Sequence, residues 1–261
     1  MKQYETLRLE EHPGAVLLAT INRPEVANAF NTQAARDLLE LLRSLGTSEA
    51  RCLALTGAGD RAFCAGADLK ERNAFSDEQW HAQHELFERM FRAVLDCPLP
   101  MIAAVNGAAY AGGLELMLLC DFAYASRSAR FALTETALGI MPGGGGTQTL
   151  ARAAGERRAK ELILSARPFS AEEALAWGVV NKLCEPQALL GETLAAARRI
   201  GENAPLSVRQ AKKAIHAGLQ VDLRAGMLLE LEAYNTLVGT EDRREGIRAF
   251  NEKRKPRFTG R

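Results

Sequence analysis

The sequence is poor in cysteine, and the spacing of its cysteines argues against two common kinds of stabilising site. Five cysteines, an odd number, are scattered through 261 residues, and no two form a Cys-x-x-Cys pair. A disulfide framework or a zinc site would need cysteines at short, regular spacings. We therefore expect reduced thiols, the usual state in the cytosol, and no bound metal.

The sequence also lacks an excess of charge of either sign. Its 33 Lys and Arg oppose 32 Asp and Glu, and the formal net charge is +1. This balance gives no overall electrostatic reason for binding nucleic acid or an acidic membrane surface. Residues 241–261 are a local exception, with eight basic and four acidic side chains. A solvated basic tail, a polyphosphate ligand and RNA all fit that segment, although RNA would also call for interleaved aromatic residues.

No apolar run is long enough to span a membrane. The most apolar stretch, residues 99–114, contains Asn106 and three glycines and is followed by Glu115. The first residues lead directly into a strand-like pattern, without the apolar centre of a signal peptide. We expect a cytoplasmic protein.

Short β-rich runs alternate with helical patterns in the first half of the chain. Residues 15–21, 51–56 and 101–105 have the composition of strands, and residues 32–45 have the apolar spacing of a helix. After about residue 147 the patterns are mostly helical. With 47% hydrophobic residues, a chain of this length buries the core of one large domain. These features predict an α/β core followed by helices.

Proline and glycine turns divide the second half into six predicted helices. The helix at residues 222–238 has an apolar stripe that is wide for one helix face. Packing within the chain and contact with another subunit both explain such a stripe. The apolar stripe consists of Met227, Leu228, Leu231, Tyr234 and Val238. The predicted helices are residues 156–165, 171–177, 187–200, 206–217, 222–238 and 242–253.

Two glutamates lie in apolar surroundings, where ionised carboxylates are rarely found without compensation. Glu115 belongs to residues 112–120, which are otherwise apolar on every face of a helix, and Glu135 lies within the apolar segment 131–139. We interpret them as an acid/base pair. The alternatives are a structural pairing of Glu115 with a buried arginine and a helix-capping role for Glu135.

The two glycines before Glu115 strengthen the catalytic interpretation. Small residues that open a helix leave backbone N–H groups free at its positive end. Gly112 precedes Glu115 by about one turn, so an N–H donor and a carboxylate can address the same ligand. This spacing predicts an oxyanion donor beside an acid/base group.

Three other motifs are weaker. Residues 57–62 fit a dinucleotide-binding turn, but no apolar helix follows them, as that motif requires. The glycines at 143–146 lack the Gly-Lys-Ser/Thr of a phosphate loop, so we interpret them as a tight connection before a helix. Cys64 precedes His81 and His84, yet a small core-filling cysteine explains it better than a nucleophile does.

Together these segments resemble the enoyl-CoA hydratase (crotonase) family over essentially the whole chain. The resemblance implies an α/β fold of the crotonase (ClpP-like) type, a spiral of ββα units. It further implies that residues 1–195 form the core with the site, and that residues 196–261 form a helical region for trimerisation. A homotrimer, or a hexamer made of two trimers, is expected. The matching segments are residues 22–30, 63–70, 106–116, 120–121, 135–139, 142–148 and 250–254.

The resemblance also implies a coenzyme A thioester as substrate and no separate cofactor. In matching positions, the N–H groups of Ala67 and Gly112 form the oxyanion hole, and Glu115 and Glu135 hold and activate water. We expect Glu115 to take the proton from water and Glu135 to supply a proton to C2. Other residues expected to contact substrate are Ala27, Ala65, Asp68, Leu69, Lys70 and Thr134, with Phe250 and Lys253 reaching the CoA of a neighbouring subunit.

The implied enzyme is a lyase that adds water syn across the C2=C3 bond of a trans-2-enoyl-CoA thioester. A Δ3,Δ2-enoyl-CoA isomerase, or another crotonase-type enzyme acting on CoA thioesters, is the alternative, since isomerases share the oxyanion hole and often use one carboxylate. An RNA-binding protein on the same fold would have no reason to keep both glutamates, so nucleic acid is not expected as a partner.

The acyl group is less well defined than the reaction. Residues 66–72, 113–116 and 159–167 look most like the methylglutaconyl-CoA hydratases of leucine breakdown, so 3-methylglutaconyl-CoA is a candidate beside the substrates of fatty acid metabolism. Thr134 departs from the residues commoner in the family, which leaves the acyl preference open. Residues 73–90 are expected to contribute to the acyl pocket, unless their aromatic side chains only fill the core.

Overall fold

Two β-sheets form the frame of the protein, whose computed structural model describes residues 2–261. In this part of the chain the larger sheet has six strands and the smaller sheet has four. The strands are β1 (Leu7–His12), β2 (Val16–Ile21), β3 (Cys52–Gly57), β4 (Ala62–Cys64), β5 (Met101–Val105), β6 (Ala108–Tyr110), β7 (Phe122–Ser126), β8 (Arg130–Ala132), β9 (Phe169–Ser170) and β10 (Lys182–Cys184).

The helices cover the sheets and make up most of the second half. Within residues 2–261, three short 3-10 helices accompany them, at Pro24–Val26, Leu45–Thr47 and Glu135–Leu138. The α-helices are α1 (Thr32–Ser44), α2 (Leu69–Arg72), α3 (Asp77–Leu95), α4 (Gly112–Leu119), α5 (Gly146–Ala154), α6 (Glu156–Ser165), α7 (Ala171–Ala176), α8 (Leu189–Gly201), α9 (Pro205–Gly218), α10 (Leu223–Val238) and α11 (Glu241–Asn251).

After β1 and β2, which both belong to the larger sheet, three successive pairs of strands divide between the two sheets. The larger sheet has the order β1-β2-β3-β5-β7-β10 and the smaller one the order β4-β6-β8-β9. Pairing is parallel except between β1 and β2 and between β8 and β9. In the pairs β3–β4, β5–β6 and β7–β8 the first strand therefore joins the larger sheet and the second the smaller, and helical structure follows each pair. The predicted spiral of ββα units is confirmed.

The strands at the centre of the larger sheet are covered on both faces. All six residues of β3 and all five of β5 are buried, which is typical of parallel strands between helical layers. Helix α8 packs on one face, where Ala196 and Ala197 contact a cluster that includes Val16 and Cys52. Because α8 runs through the predicted boundary at residue 195, the part packed on the sheet extends to Gly201. The division into two regions stays a prediction.

The predicted strands and helices agree with the structure, whereas the 19-residue helix α3 and the shortest strands were not predicted. Strand β5 and helix α6 have the predicted bounds, and the other predicted helices differ from the structure by at most two residues at either end. The mostly helical interpretation of the second half is confirmed, although strands β9 and β10, of two and three residues, lie between the predicted helices and were not predicted. So short a segment shows no measurable period. Within residues 2–261, no helix combines the length and apolarity needed to cross a membrane.

Candidate active site

Glu115 lies in the first turn of α4 and is held by main-chain donors. Its side chain is 3% exposed, and Oε1 accepts hydrogen bonds of 2.8 Å from the backbone N–H groups of Gly144 and Gly146. No basic side chain in the described part of the chain pairs with it, so the alternative of a buried arginine partner does not hold. The Glu115 carboxylate is therefore fixed by neutral amides.

The glycine run 143–146 is required for this close approach. A Cβ atom at Gly144 would lie 2.8 Å from Oε2 of Glu115, and one at Gly146 would lie 3.0 Å from its Cγ. Any larger residue would push the loop away from the carboxylate. The sequence predicted a tight connection here and a helix start, which is confirmed by α5 beginning at Gly146. It did not reveal that the loop holds Glu115.

Glu135 lies in the same region as Glu115 and is the first residue of the 3-10 helix Glu135–Leu138. It is 6% exposed, and its buried Oε2 atom has no hydrogen-bond partner among residues 2–261. Burial raises the pKa of this carboxyl to about 7; the charge of Glu115 adds to the effect, while the backbone N–H groups of Glu135 and Thr134 oppose it. A carboxyl of this kind can donate a proton near neutral pH.

Burial also raises the pKa of Glu115, but the N–H groups of Gly146 and Gly144 work in the opposite direction. Hydrogen bonds to a carboxylate favour its charged form. The two glutamates thus sit in different environments, and different environments separate an acid from a base.

Two backbone N–H groups are free at the edge of the site. The strand-like bridge between Phe30 and Ala67 uses the N–H of Phe30 and of Asp68, both at 2.7 Å, and leaves that of Ala67 unused. Gly112 begins α4, where the first N–H groups have no partner in the helix. Within residues 2–261, neither Ala67 nor Gly112 donates a backbone hydrogen bond.

Gly66 and Ala111 bring these two N–H groups together. Gly66 has a φ of +91° and Ala111 a φ of +49°, both in the left-handed range that L residues avoid. A Cβ atom at Gly66 would lie 2.8 Å from Cβ of Ala111 and 3.1 Å from the nitrogen of Gly112. The segments carrying Ala67 and Gly112 therefore meet only because residue 66 has no side chain.

One cavity of about 560 Å³ connects these groups. Glu115, Glu135, Ala67 and Gly112 all line it, so the structure brings the four predicted residues to a single space. Three of the other predicted contacts, Ala65, Leu69 and Thr134, line it as well. The aromatic side chains of Phe30, Trp80, Phe87 and Phe91 complete much of the wall.

The remaining predicted substrate contacts lie outside this cavity. Asp68 caps α2 by accepting a hydrogen bond from the N–H of Lys70, and it forms a 3.0 Å ion pair with Arg23. These contacts give Asp68 a structural role. Ala27 accepts a hydrogen bond from the N–H of Ala65, next to the cavity wall. Lys70 is exposed on α2. Their contact with substrate stays a prediction.

Phe250 and Lys253 lie at the end of α11, away from the cavity. Phe250 is 83% exposed, and Lys253 is exposed just after the helix. Both were expected to reach the CoA of another subunit, which stays a prediction.

Arg72 was not among the residues expected to contact substrate. It ends the charged run at residues 68–72, which is typical of a solvated helix face, although its position directly after the small residues 65–67 also favours the border of a site. In the structure Arg72 is buried and lines the cavity. Of the three aromatic residues expected in the acyl pocket, Trp80 and Phe87 line the cavity and Phe75 does not.

Strand pairs split between two sheets, with paired glutamates and free amides at one cavity, define a crotonase-type protein. The chain belongs to the enoyl-CoA hydratase/isomerase family, since the profile described as Enoyl-CoA hydratase/isomerase matches residues 11–261. The short-chain-enoyl-CoA hydratase of Clostridium acetobutylicum is 40% identical over 94% of each chain.

Two further relatives extend the comparison. The human mitochondrial methylglutaconyl-CoA hydratase is 38% identical, and the match covers all of this chain and 79% of the human one. The crystal structure of an enoyl-CoA hydratase from Bacillus anthracis superposes with a TM-score of 0.96 at 41% identity, covering 98% of this chain and 100% of that one. The similarity in sequence and in structure therefore extends over the whole fold of this chain.

Proposed function

We propose that the protein is an enoyl-CoA hydratase that adds water syn across the C2=C3 bond of a trans-2-enoyl-CoA thioester. The observation that carries this proposal is the convergence of Glu115 and Glu135 on one cavity that the N–H groups of Ala67 and Gly112 also border. Relatives named as enoyl-CoA hydratases support it.

The two free amides bind the thioester carbonyl oxygen. As water adds at C3, negative charge moves to this oxygen and an enolate develops. Fixed donors aimed at that oxygen stabilise the charge without having to reorganise, and one such donor typically contributes roughly 3 kcal/mol. Ala67 and Gly112 serve as these donors because neither N–H has another partner among residues 2–261.

The glutamates divide the proton transfers. Glu115, which accepts two N–H hydrogen bonds, is ionised and takes a proton from water while the resulting hydroxide bonds to C3. Glu135, whose pKa is raised to about 7, carries a proton and gives it to C2 as the enolate collapses. Glu115 thus gains one proton and Glu135 loses one. Because both carboxyl groups face the same cavity, the hydroxyl group and the proton are added to the same side of the double bond, which is syn addition. Each proton transfer contributes roughly 10²–10⁴-fold.

Crotonyl-CoA provides the direct test of hydration. Addition of water removes the conjugated double bond, so the absorbance of the unsaturated thioester should fall in the presence of the protein and remain constant with Glu115→Gln. An isomerase would instead raise that absorbance when given a 3-enoyl-CoA. Constant absorbance with crotonyl-CoA and with longer or branched 2-enoyl thioesters would contradict the proposal.

We also propose the acyl group of the substrate and the oligomeric state of the protein. The human relative is named for methylglutaconyl-CoA, which supports 3-methylglutaconyl-CoA as one substrate.

A trimer or hexamer is supported by the apolar stripe, because Met227, Leu228, Leu231 and Tyr234 are each more than half exposed. Exposed apolar surface of this extent usually marks an interface. Light scattering should give three or six times the mass of one chain, and a monomer would contradict this. The cytoplasmic location and the lack of a separate cofactor stay predictions.

A further inference from the structure

The Arg72 guanidinium is buried at the wall of the cavity without a carboxylate partner. The side chain is 8% exposed at the end of α2. Within residues 2–261, no Asp or Glu forms an ion pair with it, and Glu71 acts on it only through the longer-range field. A buried cation without a counter-charge is costly and uncommon. Such a group calls for an explanation.

Neighbouring residues fix the orientation of Arg72 but leave four of its five side-chain N–H donors without a hydrogen-bond partner among residues 2–261. Nε donates a 2.7 Å hydrogen bond to Gln83, whose amide in turn donates to Thr32 and Glu71. The guanidinium carbon lies 4.2 Å from the ring centre of Trp80 and 5.1 Å from that of Phe87. Arg72 is thus held by a neutral amide and two aromatic faces.

The free end of the guanidinium has the geometry of a carboxylate receptor. Within the described chain, neither Nη1 nor Nη2 donates a hydrogen bond, and the residue lines the same cavity as the two glutamates. With Nε already occupied, the two Nη groups remain as a planar pair that matches the two oxygens of a carboxylate. Burial also lowers the pKa of Arg72, as expected for a cation that lacks a partner.

We propose that Arg72 binds a second carboxylate at the far end of the acyl chain, so that the preferred substrates are thioesters of short 2-enoic diacids. This inference rests on the proposed function for the position of the thioester at Ala67 and Gly112. A substrate carboxylate in this cavity would meet the negative charge of Glu115, and Arg72 is the buried cation that offsets it. An uncharged acyl chain would leave the guanidinium unpaired.

Binding of unreactive thioesters tests this without requiring catalysis. Glutaryl-CoA and valeryl-CoA have saturated five-carbon acyl groups that differ in the terminal carboxylate. Wild-type protein should bind glutaryl-CoA at least roughly tenfold more tightly, as measured by calorimetry, and Arg72→Met should abolish the difference. Arg89→Met, which removes a charge from the exposed face of α3, should preserve it. Equal binding by the wild type, or tighter binding of valeryl-CoA, would overturn the proposal.

Kinetics separate this proposal from the proposed function. Arg72→Met should raise KM for glutaconyl-CoA by roughly 100-fold or more and change kcat/KM for crotonyl-CoA less than about threefold. An equal loss with both substrates would mean that Arg72 is structural and would overturn the inference. If wild-type protein hydrates neither thioester but still prefers glutaryl-CoA in binding, the proposed function fails and the role of Arg72 stands.

Discussion

The backbone N–H of Gly144 donates a 2.8 Å hydrogen bond to Oε1 of Glu115 across 29 positions of sequence. This contact joins the loop before α5 to the first turn of α4, and it leaves Oε2 without a hydrogen bond from the described chain. One oxygen is thereby positioned and the other remains available to water. The orientation of the base depends on a residue with no side chain.

Replacing Gly144 with alanine should reduce activity more than stability. The new Cβ would lie 2.5 Å from the Phe91 ring and 2.8 Å from Oε2 of Glu115, so the loop or the carboxylate must move. We expect kcat to fall by roughly 10²-fold or more, with a loss of about 1–3 kcal/mol in the free energy of unfolding. Gly191→Ala is the matched control, since nothing lies within 4 Å of its added Cβ. Unchanged kcat in Gly144→Ala would show that the loop does not position Glu115.

The raised pKa of Glu135 should make the protein less stable at alkaline pH. A pKa of about 7 in the folded state, against 4.5 in the unfolded chain, means that the folded state binds more protons between these values. Stability therefore falls as the pH rises through that window, by about 2 kcal/mol after allowance for solvent near the cavity.

Glu135→Gln cannot ionise and should not show this loss. Urea unfolding at pH 5 and pH 8 should find the variant gaining stability relative to wild type as the pH rises, whereas the exposed control Glu49→Gln should show no such gain. The same pH dependence in Glu135→Gln as in the wild type would argue against an abnormal carboxyl at this position.

The same carboxyl should limit activity at high pH. If Glu135 donates its proton to C2, then kcat/KM should fall about tenfold per pH unit above pH 7 as this proton is lost. Because the two carboxyls interact, the apparent pKa belongs to the pair. Initial rates with crotonyl-CoA between pH 5 and pH 9 test this. A profile that stays level up to pH 9 would contradict the assignment of Glu135 as the acid.

Lys253 should affect binding of CoA more than the chemical step. It is exposed just after α11, and an ammonium there can bind a phosphate of CoA. We expect Lys253→Ala to raise KM for CoA esters more than it lowers kcat, because the contact is the same in the ground state and the transition state. Arg36→Ala, on the exposed face of α1, controls for the loss of one positive charge. An effect on kcat alone would contradict this role.

Local sequence patterns predicted the parts of the fold that have strong periodicity or continuous burial. Strand β5 and helix α6 are long enough for their apolar residues to define them, and Glu115 attracts notice because every neighbour on its helix is apolar. The strands of the smaller sheet have two or three residues each, and their pairing depends on partners that are distant in sequence. No local pattern defines them.

The same reason explains what was missed in the site. The burial of Arg72 comes from Trp80 and Phe87 on α3, so it depends on how α2 and α3 pack and not on the charged run itself. The link between Gly144 and Glu115 likewise joins segments that only the spiral brings together. The glycine run predicted a tight connection before a helix, but it did not predict that the N–H groups of this connection bind Glu115.

The rates of crotonyl-CoA hydration by Glu115→Gln, Glu135→Gln and the double variant test the central claim most directly. If both side chains act together in the hydration step, each single substitution should lower kcat by roughly 10²–10⁴-fold, and the double variant should be little slower than the slower single one. Either single variant retaining near wild-type kcat, or losses that multiply fully in the double variant, would contradict a shared site of action.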